Sequence, residues 1–493
     1  MKKSYAITSF ILLCLWAFTA SGSEPSVKQT IVNVTNANMR LASPMVLNTV
    51  IFDVPVAGRI ILRFDGYCVS DSGDRIILAA SNTPNWTPDD GNVGVLAPHQ
   101  GFKRRAFSHT RVYDVAMGLD TFYAVGQNYV DKNGSGIASV YGHLTLEYFP
   151  VTGPALVIDS NINFSGDVRS VQRVLAKVFS PLEPAGKVLV HMDGQLYSEP
   201  GDRIMLTAAN MPSWLVDAGS VAAMALSSTQ RLSTFSHSRV YAQNASPDTF
   251  YAVAKNVVNQ QGSGTVGVSG NLSAVFYPTA GIATIDVRSI LEDDLDARGA
   301  AVAFDSITIN APVDGFALAQ LDGYCTTSVG DEMLFAVNDR PDWEVNEGHI
   351  TVSAPYTNNV FSTLSHSRLF PVTAGTHTFY SVVENTGLTG GNGLADILAN
   401  FTVKFYPEIN VGIQEAKAAS SFNIYPNPAN DVLMVLFNDN NHTEEIEITD
   451  IAGRVVQAVQ TEGNAQMQLN ISQLPAGVYL VRSKNFTRKL VKQ

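Results

Sequence analysis

Cysteine is scarce in this chain of 493 residues: there are three, and Cys14 lies in an N-terminal apolar run. The other two, Cys68 and Cys325, occupy matching places in two copies of a repeat whose remaining copy has Leu196. A position that takes Cys or Leu reads as a buried apolar site rather than half of a disulfide. Charge is scarce as well, at 15% of residues with a formal net charge of −12. An acidic chain lacks the cations that neutralise phosphate, so nucleic acid is excluded as a partner. The one basic cluster, Lys103-Arg104-Arg105, becomes Arg231-Leu232-Ser233 in the next copy and reads as a solvated loop. No apolar run reaches the roughly 20 helical residues that span a bilayer, so the mature chain is not expected to be an integral membrane protein. No Gly-x-Ser-x-Gly elbow is present, and the His and Cys spacings do not suit zinc. Asp71-Ser72-Gly73-Asp74 looks like part of a calcium loop, but only Gly-Asp recurs, which a tight turn explains. Neither a metal nor a cofactor is expected.

A long internal repeat is what the chain does have. Trp86, Trp214 and Trp343 stand 128 and 129 residues apart. The same offsets carry Asp65-Gly66 onto Asp193-Gly194 and Asp322-Gly323, and Thr121-Phe122-Tyr123 onto Thr249-Phe250-Tyr251 and Thr378-Phe379-Tyr380. A period this long means tandem globular domains rather than a solenoid. Short β-branched and aromatic runs dominate, broken by Gly, Pro and Asn, and no helical stripe is found. Each copy closes on an aromatic strand stopped by proline, as in Tyr148-Phe149-Pro150. The expected fold is all-β: a tandem array of three jelly-roll-like β-sandwiches at 28–150, 154–278 and 282–407, then a small antiparallel β-sandwich. Residues 59–80 read as a hairpin turning at Ser70–Asp74. The short joints Val151-Thr152-Gly153 and Thr279-Ala280-Gly281 point to a semi-extended rod.

The two ends concern export. Lys2 and Lys3, the apolar run Ile7–Phe18 and the small residues Ala20–Ser23 read as a signal peptide over 1–23. A polar, Ala-rich linker is expected at 408–421. Beyond it come Phe422-Asn423-Ile424-Tyr425-Pro426-Asn427-Pro428-Ala429, then Ile448-Thr449-Asp450-Ile451-Ala452-Gly453-Arg454, Leu474-Pro475-Ala476-Gly477-Val478-Tyr479, and a basic end that includes Lys489. This order resembles the type A C-terminal sorting domain of the type IX secretion system of Bacteroidota, here at 422–493. Pro426, Asn427, Pro428, Gly453, Gly477, Tyr479 and Lys489 carry the match. The resemblance implies passage through the periplasm, handling by the type IX machinery, and a product secreted or held at the outer cell surface.

Two recurrent features could hold a ligand. Trp86, Trp214 and Trp343 each follow a Pro-x step on a loop. An exposed indole there could stack on a sugar, while the ordinary alternative is a buried plug. The second feature is Ser-His-x-Arg, which places His109 with Arg111, His237 with Arg239 and His366 with Arg368 on one strand face. That face could hold an anionic sugar; alternatively Arg111 pairs with Asp65 or Asp74 while His109 bonds backbone. Catalysis is not expected, because Ser108 and His109 are adjacent in a strand and point to opposite faces. The expectation is a non-catalytic, multivalent adhesin or carbohydrate-binding array meeting surface glycans or extracellular polysaccharide, the alternative being a structural spacer.

Overall fold

The computed structural model describes residues 24–40, 43–86, 93–96, 104–131, 134–169, 171–181, 185–213, 221–223, 231–244, 246–259, 264–342, 350–353, 361–387, 391–408, 422–425, 429–437, 445–450, 453–460, 466–483 and 486–492. The signal segment 1–23, linker residues 409–421, Trp214, Trp343 and Pro426-Asn427-Pro428 lie outside them. The chain falls into two compact units, Met1–Ile409 and Asn410–Gln493.

In the first unit each repeat has eight strands. Repeat 1 has β1 (Ser26–Asn38), β2 (Met45–Val54), β3 (Gly58–Ser70), β4 (Asp74–Ser81), β5 (Val93–Leu96), β6 (Arg104–Val115), β7 (Gly118–Asp131) and β8 (Ile137–Pro150). Repeat 2 has β9 (Leu156–Asp167), β10 (Arg173–Ser180), β11 (Gly186–Tyr197), β12 (Asp202–Ala209), β13 (Val221–Ala223), β14 (Leu232–Gln243), β15 (Asp248–Asn259) and β16 (Thr265–Pro278). Repeat 3 has β17 (Thr284–Asp296), β18 (Val302–Ala311), β19 (Gly315–Thr327), β20 (Glu332–Asn338), β21 (Ile350–Ser353), β22 (Phe361–Val372), β23 (Gly375–Asn385) and β24 (Leu394–Pro407). The sheets of repeat 1 run β1-β8-β3-β6 and β2-β7-β4-β5, and the other repeats copy that order. Two four-stranded antiparallel sheets interleaved in this way form a jelly roll.

Strand order corrects one local expectation. β3 pairs with β6 and β8, whereas β4 pairs with β5 and β7. Residues 59–80 are therefore an arch between two sheets, not a hairpin. Asp74 explains the arch: its amide bonds to Asp71 O at 3.1 Å, with Gly73 at φ 100°. Its buried carboxylate accepts Asn128 Nδ2 at 2.7 Å and the Gly136 amide, tying the turn to the neighbouring loop. Asp202 and Asp331 repeat this with Asn256 and Asn385. The recurrent Gly-Asp is thus a structural clasp.

The rod is corrected too. In β3, Ile60, Leu62, Phe64 and Cys68 fill the core of their own sandwich. The opposite face, with Ile61, Arg63 and Asp65, is just as buried. A strand buried on both faces needs a third layer, and the other repeats supply it. Phe149 meets Tyr277 and Tyr406 with ring centroids 6.4 Å apart in each case, and these three are sequence equivalents. They belong to an apolar cluster shared by all three repeats, with Ile61, Leu189 and Leu318. Equivalent residues meet because the repeats close around a pseudo-threefold axis. Chain ends explain how short joints permit this: Gly58, Gly186 and Gly315 pair with Pro150, Pro278 and Pro407 at one end of the axis, beside the joints.

The second unit contains β25 (Phe422–Tyr425), β26 (Val432–Phe437), β27 (Glu445–Asp450), β28 (Val455–Gln460), β29 (Gln466–Asn470), β30 (Gly477–Ser483) and β31 (Phe486–Lys492). They form sheets β25-β26-β29 and β28-β27-β30-β31 around Leu433, Val435, Ile446, Ile448 and Val481.

Candidate functional site

The Ser-His-x-Arg strands β6, β14 and β22 line the axis, and alternation splits their residues between two jobs. His109, His237 and His366 turn into their own sandwiches and are 2%, 1% and 1% exposed. Their Nδ1 atoms accept the amides of Ala80, Ala208 and Val337 at 2.9, 3.1 and 3.2 Å. The half-buried Arg111, Arg239 and Arg368 lie over Tyr113, Tyr241 and Phe370, and Arg368 also donates to Asn338 Oδ1 at 3.0 Å. The serines turn the other way. Ser108 and Thr110 donate to Asp193 Oδ2, each at 2.6 Å. Ser236 and Ser238 donate to Asp322 at 2.7 and 3.0 Å, and Ser367 donates to Asp65 Oδ1 at 2.6 Å. Repeat 1 thus holds repeat 2, repeat 2 holds repeat 3, and repeat 3 holds repeat 1: a heterologous contact that closes.

Three buried aspartates around one axis would repel, and the chain resolves this by breaking its own symmetry. The equivalent positions one pleat away are Arg63, His191 and Gln320. Arg63 bonds Asp322 Oδ1 at 2.5 Å and Ser365 Oγ at 2.7 Å, with Asp65 at 3.5 Å. His191 Nε2 lies 3.2 Å from Asp193, and Gln320 donates to Asp322. Burial alone would raise all three carboxyls. It succeeds at Asp65, pushed up to about 6 despite Arg63. The hydrogen bond and charge of His191 outweigh it at Asp193, held at about 2, and Arg63 and His191 outweigh it at Asp322, which stays well below the usual range. Further along, Lys404 meets Glu147 at 2.7 Å, while the equivalent in repeat 2 is Val275. Among the described residues no group of three or more His, Cys, Asp or Glu is arranged to hold a metal ion.

The axis is packed, and the repeats adjoin again at its other end. There the same corner is built three times from different residues. Between repeats 3 and 1, Glu332 pairs with Arg104, and Tyr67 stacks on Tyr141 at 5.0 Å. Between repeats 2 and 3, Arg203 lies 4.2 Å over the Phe361 ring, against which Tyr324 packs at 5.1 Å. Between repeats 1 and 2 the equivalents are Arg75, Gln195, Ser269 and Leu232, and the corner is open: a cleft of about 610 Å³. Its floor is one sheet face, where Gln195 faces Ser269, Tyr197 faces Gly267, and Ser269 and Gly267 face Asn163 and Ser165 of β9. Gln195 is fixed, accepting the Gly94 amide at 2.7 Å and donating to Ser269 Oγ at 3.1 Å. Tyr197, 48% exposed, forms one wall with Arg231, which donates to its hydroxyl and to Glu199 at 2.6 Å. Arg75 of repeat 1 also lines it, and none of the described lining residues is acidic.

These residues escaped the sequence reading because it looked for what recurs. The signal was the opposite one, the places where Tyr67 and Tyr324 become Gln195, and Tyr141 becomes Ser269. Of the three tryptophans, Trp86 is partly buried on the loop after β4 and the other two lie outside the described residues.

In the second unit Gly453, at φ 79°, closes the β27–β28 turn, its amide on Asp450 O at 2.9 Å. Gly477 opens β30, and the buried Tyr479 donates to Pro475 O at 2.8 Å. The β31 residue Lys489 is placed in its strand, with its side chain outside the described atoms.

No curated protein matches the chain. Among solved structures it is similar to a protein from the triple jelly-roll fold and turret assembly of an archaeal virus. That pair shares 11% identity over 80% of this chain and 93% of that one, with a TM-score of 0.20. A protein of infectious bursal disease virus, Gt strain, is similar at 8% identity over 81% and 87%, with a TM-score of 0.19. PNGF-II is similar at 12% identity over 64% and 79%, with a TM-score of 0.20. The jelly-roll assignment itself rests on the strand order above. A family model does match the C-terminal end: residues 423–493 are a secretion system C-terminal sorting domain, the type IX signal that directs a protein to the cell surface or the medium.

Proposed function

We propose that this protein is a non-catalytic, carbohydrate-recognising surface or secreted protein of the adhesin type, whose three repeats form one rigid head. The cleft between repeats 1 and 2 carries the reading. A floor of amide and hydroxyl groups beside an exposed tyrosine suits a sugar, which presents hydroxyls at its edge and C–H groups on its face. The Ser-His-x-Arg motif serves packing, so we assign recognition to residues of this cleft. A non-catalytic role is supported by the serine–histidine geometry: Ser108 reaches Asp193 while His109 faces Ala80, so the two do not meet as nucleophile and base.

The test is a screen of the full exported chain against immobilised polysaccharides and glycans, with reducing-end release followed in parallel. Binding without release of sugar is the expected result. Failure to bind any glycan at high protein concentration would move the assignment to a structural spacer.

A further inference from the structure

We infer that Lys404 and Glu147 are the two halves of a self-forming amide crosslink that joins repeat 3 to repeat 1 across the axis. This goes beyond the carbohydrate reading and does not depend on it, since it assigns a covalent modification site to the core of the head.

Lys404 lies in β24 and Glu147 in β8, and they are 1% and 4% exposed. Lys404 Nζ donates to the two carboxylate oxygens of Glu147 at 2.8 and 2.7 Å, and to Gln320 Oε1 at 3.3 Å. The buried Tyr406 hydroxyl donates to Glu147 Oε2 and lies 3.1 Å from the Tyr277 hydroxyl. Ile61, Leu189 and Val275 supply apolar surroundings. Val275 is also the repeat 2 equivalent of both residues, so this layer holds one amine, one carboxyl and no competing third group.

In such a place a pair of ions is poorly rewarded, because the cost of taking both charges out of water rivals their attraction. Burial pulls the Lys404 ammonium below the usual lysine range; Glu147 opposes that shift and Arg63 adds to it. A neutral amine is the nucleophilic form, and two groups held in contact react as if at very high concentration. The ammonium passes one proton to the carboxylate. The Nζ lone pair then bonds to Glu147 Cδ, the Cδ–Oε2 bond breaks, and that oxygen leaves as water with two of the three ammonium protons. Tyr406, bonded to Oε2, relays a proton to the leaving oxygen. The amide keeps the last proton, with Gln320 Oε1 in place to accept it, and no further reactant is required. A recess of about 20 Å³ beside both residues has room for the released water.

Position gives the bond a purpose. The chain itself joins repeat 1 to repeat 2 between β8 and β9, and repeat 2 to repeat 3 between β16 and β17. The seam between repeats 3 and 1 is crossed by no backbone, and Glu147 with Lys404 spans that seam. An amide there closes the ring covalently and ties down β24, the strand that leads into the linker.

The test is mass spectrometry of the full exported chain after unfolding. The chain is expected to be lighter by one water than its sequence requires, and a tandem spectrum of its digest should join the Glu147 peptide to the Lys404 peptide. A second readout uses a protease site engineered between Val151 and Gly153: after cutting, the two fragments should stay joined in strong denaturant. Lys404→Met should restore the full mass and let the fragments part, with circular dichroism reporting the fold. Should that variant fail to fold, the tandem spectrum of the unsubstituted chain decides alone. A full sequence mass with fragments that part in denaturant would overturn the inference and leave an ordinary buried ion pair. A loss of water that maps elsewhere, or that survives in Lys404→Met, would overturn it too. So would a loss of ammonia joining Lys404 to Gln320, which would make the amide of Gln320 the acceptor instead. Glycan binding is measured separately, so either reading can fail without the other.

Discussion

Two buried histidines set how this head responds to acid. Burial, with Arg368 nearby, holds His143 down at about 4, and burial with Arg239 holds His237 down at about 3. Both folded values lie below the unfolded value of about 6.5, so the fold favours the neutral rings. Their contribution is complete above pH 6.5 and is lost as pH falls towards 4, on the order of 3 kcal/mol each. Asp65 acts in the opposite direction. With its folded value raised to about 6, its ionisation removes stability as pH climbs from about 4 to 6. Two groups outweigh one, so the melting temperature should fall from pH 7 to pH 4. His143→Asn, which installs the residue found at Asn271 and Asn400, should flatten that slope. A slope unchanged in the variant would show that His143 is not a source of the acid sensitivity.

At the level of the strand, the Asp-Gly pairs show why a short motif recurs without being a turn. Gly66 sits mid-strand in β3 at φ 151°, facing Gly142, and a Cβ there would lie 2.1 Å from Tyr141 O. The close approach of β3 to β8 leaves no room for a side chain, and the neighbouring Asp65 is thereby brought to the axis. Gly66→Ala should destabilise the protein by roughly 3 kcal/mol, measured by urea unfolding. Gly267→Ala is the control, because its added carbon meets only Tyr197 Cβ at 3.8 Å, and a change within about 0.5 kcal/mol is expected. Equal losses in the two variants would mean that strand glycines matter here for backbone freedom rather than for close approach.

For the whole molecule, fusion of three repeats into one chain has a physical consequence. In a homotrimer every axial residue would appear three times, so a single arginine could not serve three aspartates. Covalent linkage lets Arg63, His191 and Gln320 share that work, and lets Glu147 meet Lys404 across the axis. Continuity of the chain is then unnecessary once the head has assembled. Cutting an engineered protease site in Val151–Gly153 should leave the fragments co-eluting, with the three-repeat unit, 24–408, scattering as a globule. Fragments that separate, or a scattering profile of a rod, would contradict the closed ring.

Much of this protein was legible in one dimension, because local patterning and turn chemistry act over short distances. The repeat offsets, the all-β sandwich of each copy, the buried Cys68 and Cys325, and the sorting domain from Phe422 onward follow from residue order alone. The sheet change at Ser70–Asp74 did not, because a turn between two strands looks alike whether they pair with each other or cross to separate sheets. Closure of the ring was hidden for a similar reason. Arg63 and Asp65 alternate with Ile60, Leu62 and Phe64 as they would on a half-exposed strand, and only the arrival of Asp322, 259 residues away, reveals that both faces are buried. The open cleft was hidden most deeply. Arg75 and Gln195 come from different repeats, and nothing in linear order states that Arg75 and Ser269 line one cleft, or that Phe361 covers the counterpart of Arg75 at the next corner.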